Sequence, residues 1–189
     1  MKKICTIMIA LMAHSMFVIG QAQADINLLK TDSSWAKEVF YFPLSFANEI
    51  KFEGVEEARF PQKWADTSSP DFWSYVFVWE IKTSSRLMEK DLEDNLEIYF
   101  NGLLNWQHTN AVFLQKEAAE NHSICLGKIK TFDAFFTKKP ITLQVIAEIH
   151  FCAQQKKSLI FFRFSPKPYE HEIWHKLNGV QIETPDCSD

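Results

Sequence analysis

Phe72-Trp73-Ser74-Tyr75-Val76-Phe77-Val78-Trp79-Glu80-Ile81-Lys82 reads as a strand, and its two faces decide the architecture. Its odd positions, Trp73, Tyr75, Phe77, Trp79 and Ile81, are all large and apolar. Val76 and Val78 make the other face partly apolar as well. Successive strand side chains point to opposite faces, so an apolar set on both requires cover on both. Such a strand belongs at the centre of a sheet with a layer on each side.

Upstream, Ala65 to Asp71 has the composition of a loop. Glu49 to Phe60 is a weaker strand signal with a turn at Gly54, and Val39 to Phe46 is an aromatic strand whose Pro43 assigns it to a sheet edge. Downstream, Met88, Leu92, Leu96, Tyr99 or Phe100, and Leu103 recur at helical spacing, with Ser84 or Ser85 as cap and Gly102 and Asn105 at the end. Ala111 to Gln115, Ser123 to Phe132 and Leu159 to Phe164 read as strands. Ile141 to Cys152 alternates cleanly, with Ile141, Leu143, Val145, Ala147, Ile149 and Phe151 on one face. After Pro166 and Pro168, Tyr169 to Leu177 reads as a short helix ended by Asn178-Gly179. The expectation is a single α+β domain: a mainly antiparallel, meandering sheet packed with one long helix and one short C-terminal helix.

Three aromatic words carry a resemblance. Phe60-x-x-x-Trp64, Phe72-Trp73-Ser74-Tyr75-x-Phe77-x-Trp79 and Tyr99-Phe100-x-Gly102-Leu103 resemble a family of uncharacterised exported bacterial proteins, over roughly residues 58–104. The resemblance implies export and a shared fold; it brings no activity and no catalytic residue.

The N-terminus points the same way. Lys2 and Lys3 precede an apolar run from Ile4 to Gly20, and Ala22-Gln23-Ala24 is a small-x-small cleavage pattern. Residues 1–24 are therefore read as a signal peptide and residues 25–189 as the domain, with loose ends at about 25–37 and 181–189. Left uncut, the run would be an N-terminal anchor, but His14 and Ser15 interrupt it. After removal of the leader the chain keeps 18 basic residues against 24 acidic ones, a net charge of −6. That balance gives no support to a nucleic-acid partner, and no other stretch approaches a stable membrane span. The expected location is the periplasm or the medium.

Three cysteines remain in an oxidising compartment, where a disulfide is expected. If the strands around Cys125 and Cys152 form a hairpin turning near Lys138-Lys139, facing residues sum to about 277 and the two cysteines meet. Cys187 is then spare, free or paired between chains; the other reading leaves all three reduced.

His171-Glu172-Ile173-Trp174-His175 matches H-E-x-x-H. On a helix, His171 and His175 would share a face and grip zinc, with Glu172 as general base, which is the resemblance to zincin metallopeptidases. A catalytic site needs a third protein ligand. Asn178 holds the place of the metzincin glycine, Gln181 or Ile182 stands where a further histidine belongs, and only 14 residues follow His175. The plainer reading is an amphipathic helix packing Ile173, Trp174 and Leu177.

Trp73, Tyr75, Trp79 and Trp106 are candidates to line an apolar or sugar-binding cleft, core being the alternative. Asp91, Glu93, Asp94 and Glu97 read as a solvated helix face. His150 shares the polar face of its strand with Glu148 and Cys152, a set that the final helix would have to cross to complete a site. The leading expectation is a non-enzymatic exported binding or accessory domain without a cofactor, acting on a small ligand or another envelope protein. A zinc-dependent hydrolase is the alternative.

Overall fold

The computed structural model describes residues 26–119 and 121–183. The leader, its cleavage site and Cys187 lie outside them. The chain runs β1 (Leu29–Lys30), β2 (Ala36–Tyr41), β3 (Gly54–Phe60), β4 (Tyr75–Lys82), α1 (Glu89–Leu104), β5 (Asn110–Ala118), β6 (His122–Phe132), β7 (Pro140–Cys152), β8 (Lys157–Ser165), α2 (Ile173–Asn178) and β9 (Gln181–Ile182). Seven strands form one sheet in the order β2-β3-β4-β8-β7-β6-β5, every neighbour antiparallel. Strands dominate, and the α+β expectation is corrected to an all-β-like architecture. The helical period read from the sequence is real at α1, but α1 covers 16 residues and α2 only 6, against long strands such as the 13-residue β7. Nor is the sheet a simple meander. Two meanders, β2-β3-β4 and β5-β6-β7-β8, meet where β8 pairs with β4, and α1 carries the chain from one to the other.

β4 is covered on both faces, as its composition requires. Tyr75, Phe77, Trp79 and Ile81 pack with Leu92, Leu96 and Phe100 of α1 and with Phe162 and Phe164 of β8. Val76 and Val78 join Phe161 and, from α2, Ile173, Trp174 and Leu177 in a smaller cluster on the other side. Each fully buried side chain of this size is worth about 1.5–3 kcal/mol.

The ends of α1 follow local chemistry. The Asp91 carboxylate accepts the Met88 N–H at 2.8 Å, so the first turn is capped from within rather than by Ser84 or Ser85. Asn105 closes the helix in the left-handed conformation. Gly102 lets α1 lie against the segment after β2, since a Cβ there would stand 1.8 Å from the Phe46 carbonyl oxygen.

The acidic face of α1 is not merely solvated. Glu93 Oε1 accepts the Phe113 N–H at 2.9 Å and Glu97 Oε1 accepts the Ala111 N–H at 2.9 Å, both from edge strand β5. Among the described residues of the segments expected to be loose, Leu29 lies opposite Ile182 and Lys30 opposite Gln181.

The expected Cys125–Cys152 bridge is corrected by the register. Cys125 faces Ala147, and Cys152 faces Lys157 of β8. Cys125 belongs to the core beneath α1, while Cys152 shares the opposite face of β7 with Glu148 and His150. Cys125 is a free, buried thiol, and burial pushes its pKa up to about 11.

Candidate functional site

A cavity of about 350 Å³ opens beside β4, on the sheet face that carries α1. Its walls come from four places. β2 and β3 contribute Phe40, Ala58 and Phe60; β4 contributes Tyr75; α1 contributes Tyr99 and Leu103. The loop between β3 and β4 adds Trp64 and Trp73, and the loop between β6 and β7 adds Phe135 and Phe136. Two acids complete it: Glu38, exposed on β2, and Glu56, fully buried on β3. No lysine, arginine or histidine is among its lining residues.

Glu56 faces Trp79 across β3 and β4, and the Trp79 indole N–H donates to Glu56 Oε2 at 2.7 Å. The Tyr99 hydroxyl donates to Oε1 at 2.8 Å. Burial raises the Glu56 pKa to about 7, working against these two bonds, and the nearby Glu38 charge adds to the rise. The phenols of Tyr75 and Tyr99 are pushed well above their usual range, by burial first and by the Glu56 charge second. The carboxyl therefore changes charge near neutral pH inside an aromatic enclosure.

Trp73 carries two unfavourable features at once. Its φ is 52°, a region that bulky residues rarely occupy, and its buried indole N–H has no hydrogen-bond partner among the described residues. The first costs about 1–3 kcal/mol and the second a similar amount. Strain held in this way clusters at ligand sites. Trp73 stacks on Phe135, with centroids 5.9 Å apart and planes at 12°, and meets Trp64 and Phe136 edge to face.

Asp133 sets that second wall. Its carboxylate accepts the N–H groups of Phe135, Phe136 and Thr137 and the Thr137 hydroxyl, at 2.7–3.0 Å. Burial opposes its ionisation, but these bonds outweigh it and hold the pKa below the usual carboxylate range. Phe135, at 45% exposure, forms part of the wall open to solvent.

Of the residues singled out in the sequence, Trp73 and Tyr75 line the cavity, and Trp79 lies behind it holding Glu56. The H-E-x-x-H set is not on one helix. α2 begins at Ile173, Glu172 is its N-cap, and His171 precedes it with Nδ1 accepting the Ile173 N–H at 3.1 Å. Among the described residues, no third ligand joins His171 and His175. His175 instead borders an open cleft of about 640 Å³ with Lys30, Trp35, Asp71 and Lys176, where Lys176 and Asp71 pair at 2.7 Å.

Sequence reasoning missed Glu56, Tyr99, Phe135 and Phe136. Val55-Glu56-Glu57-Ala58 reads as a weak strand, yet both glutamates are fully buried, on opposite faces. Glu57 is taken up structurally by Arg59 at 2.6 Å and the Leu28 N–H at 2.6 Å. The fold and site define an all-β-like sheet protein with an aromatic, acid-lined cavity. No protein-family model, curated protein or solved structure matches the chain.

Proposed function

We propose that this is an exported, non-enzymatic binding protein whose cavity holds a small organic cation with an apolar body. One observation carries the reading: aromatic walls and two carboxyl groups enclose a space to which no basic side chain contributes. Aromatic faces attract ammonium groups, by about 2 kcal/mol or more once desolvated, and the space is of the size small-molecule sites take. A cation in the cavity stabilises ionised Glu56, so binding lowers that pKa and tightens as pH rises. The backbone strain at Trp73 supports a site kept for a ligand. Export rests on the Lys2-Lys3 start, the apolar run and Ala22-Gln23-Ala24. Among the described residues no helix is long and apolar enough to cross a membrane.

The test is tryptophan fluorescence of the purified protein titrated with benzyltrimethylammonium and with its neutral carbon analogue, neopentylbenzene. The cation binds saturably, at least about tenfold tighter than the neutral compound, and tighter at pH 8 than at pH 6. Equal or tighter binding of the neutral compound overturns the reading. N-terminal sequencing of protein recovered outside the cytoplasm checks export, with Asp25 as the expected first residue.

A further inference from the structure

On the opposite face of the sheet from the cavity, three side chains converge on one point. His122 of β6 and His150 of β7 are direct cross-strand partners, with ring centroids 4.6 Å apart. Glu148 lies two residues before His150, hence on the same face of β7. Both imidazoles approach the same oxygen: Glu148 Oε1 is 3.0 Å from His150 Nε2 and 3.4 Å from His122 Nε2. The three donor atoms all lie within 4.8 Å of one another.

Those separations have a coordination meaning. Nitrogen and oxygen ligands about 2.0–2.1 Å from a tetrahedral zinc ion stand about 3.3–3.4 Å from each other. The two separations at Glu148 Oε1, 3.0 Å and 3.4 Å, lie close to that spacing, and two paired strands fix the backbone of the triad. Arg163 of β8 holds the far oxygen, Oε2, at 3.2 Å and 3.3 Å from its two terminal nitrogens, and its guanidinium is seated 4.0 Å from the Phe161 ring centroid. Oε1 is thereby aimed at the histidines, the orienting role that outer partners play around metal ligands.

We propose that His122, Glu148 and His150 bind one divalent transition-metal ion, of which Zn²⁺ is the probe, and leave a further coordination position to water. Two imidazoles and one carboxylate suit zinc and its neighbours better than calcium or magnesium, which prefer all-oxygen sets. The histidine side chains are 34% and 23% exposed and Glu148 is 24% exposed, so an ion arrives from solvent without opening the core. The ion takes the Nε2 lone pair of each neutral ring, whose one proton then sits on Nδ1, and a ring that carried two protons releases one to water. The Arg163 charge tempers affinity without occupying a ligand position.

Calorimetric titration of the untagged protein with Zn²⁺ at pH 7.5 tests the site. One ion binds per chain; His122→Ala and His150→Ala each weaken it at least about tenfold, and the double variant His171→Ala/His175→Ala leaves it unchanged. A second measurement needs no variant. Zn²⁺ slows the modification of His122 and His150 by diethyl pyrocarbonate and leaves the exposed His175 at its metal-free rate. Absence of saturable one-to-one binding, binding that persists in the His150→Ala protein, or protection of His175 in place of His122 and His150 overturns the proposal.

Discussion

The Tyr99 hydroxyl donates to Glu56 Oε1 at 2.8 Å, joining the long helix to the sheet at a carboxyl that solvent does not reach. With Trp79 on the other oxygen, Glu56 is satisfied but still poorly solvated. Its burial couples the fold to pH.

The usual pKa of this side chain is 4.5 and the folded value is about 7. Below the lower value both folded and unfolded chains hold the proton. As pH rises between the two, the unfolded chain releases it first, so stability falls and levels off above about pH 7. The span corresponds to a loss of about 3 kcal/mol. Urea unfolding at pH 5 and pH 8 captures most of it, about 2.5 kcal/mol. The wild type is less stable at pH 8 by this contribution, and Glu56→Gln removes that slope. The amide carries one acceptor oxygen where two donors arrive, so the variant also has a pH-independent offset; the difference in slope is the readout.

Edge strand β5 gives a second expectation. Glu93 and Glu97 accept the N–H groups of Phe113 and Ala111, while Val112 and Leu114 stand 50% and 73% exposed. Unpaired edge N–H groups beside exposed apolar residues invite another strand. Each single change to Ala costs about 1 kcal/mol, and Glu93→Ala/Glu97→Ala raises self-association measured by sedimentation velocity. A double variant that stays as monomeric as the wild type counts against a guarding role.

How much of this the sequence revealed varies with the element, for physical reasons. β4 was readable because its apolar residues occupy both faces, which only a covered central strand tolerates. α1 was readable from period, but the use of Glu93 and Glu97 by a neighbouring strand leaves no periodic mark. The cysteine pairing failed on one quantity, the position of the β6–β7 turn. Asp133 gathers the N–H groups that follow it, the turn starts earlier than Lys138-Lys139 suggested, and the register moves by an odd number, sending Cys125 and Cys152 to opposite faces. The H-E-x-x-H reading assumed a helix that already includes His171, whereas α2 starts at Ile173. The His122–Glu148–His150 group needs the same β6–β7 register, so single-strand alternation reached only Glu148 and His150.

Cys125 gives a chemical check on that register. With its pKa up to about 11 and its side chain in the core, almost none of it is thiolate at pH 7.5. Iodoacetamide modifies it slowly in the native protein and rapidly in 8 M urea, about the concentration that unfolds most domains of this size. Peptide mapping without reductant finds no Cys125–Cys152 link. Recovery of that linked peptide contradicts the register.

Asp133 separates the shape of the cavity from its chemistry. It lies outside the lining, yet it holds the loop that carries Phe135 and Phe136, and Phe135 stacks on Trp73. Asp133→Ala leaves three N–H groups and one hydroxyl without their acceptor, a loss of about 2–4 kcal/mol at a buried position. Asp133→Asn keeps one acceptor oxygen and loses less. Because both aromatic rings remain in the chain, any fall in affinity for benzyltrimethylammonium reports their placement rather than their presence. Affinity falls in the order wild type, Asn, Ala, measured below each protein's unfolding temperature, while Zn²⁺ binding on the other face of the sheet stays constant. Unchanged affinity in the Ala protein means that the placement of Phe135 and Phe136 does not hold the ligand, and the remaining walls on β2, β3, β4, α1 and the β3–β4 loop carry the binding.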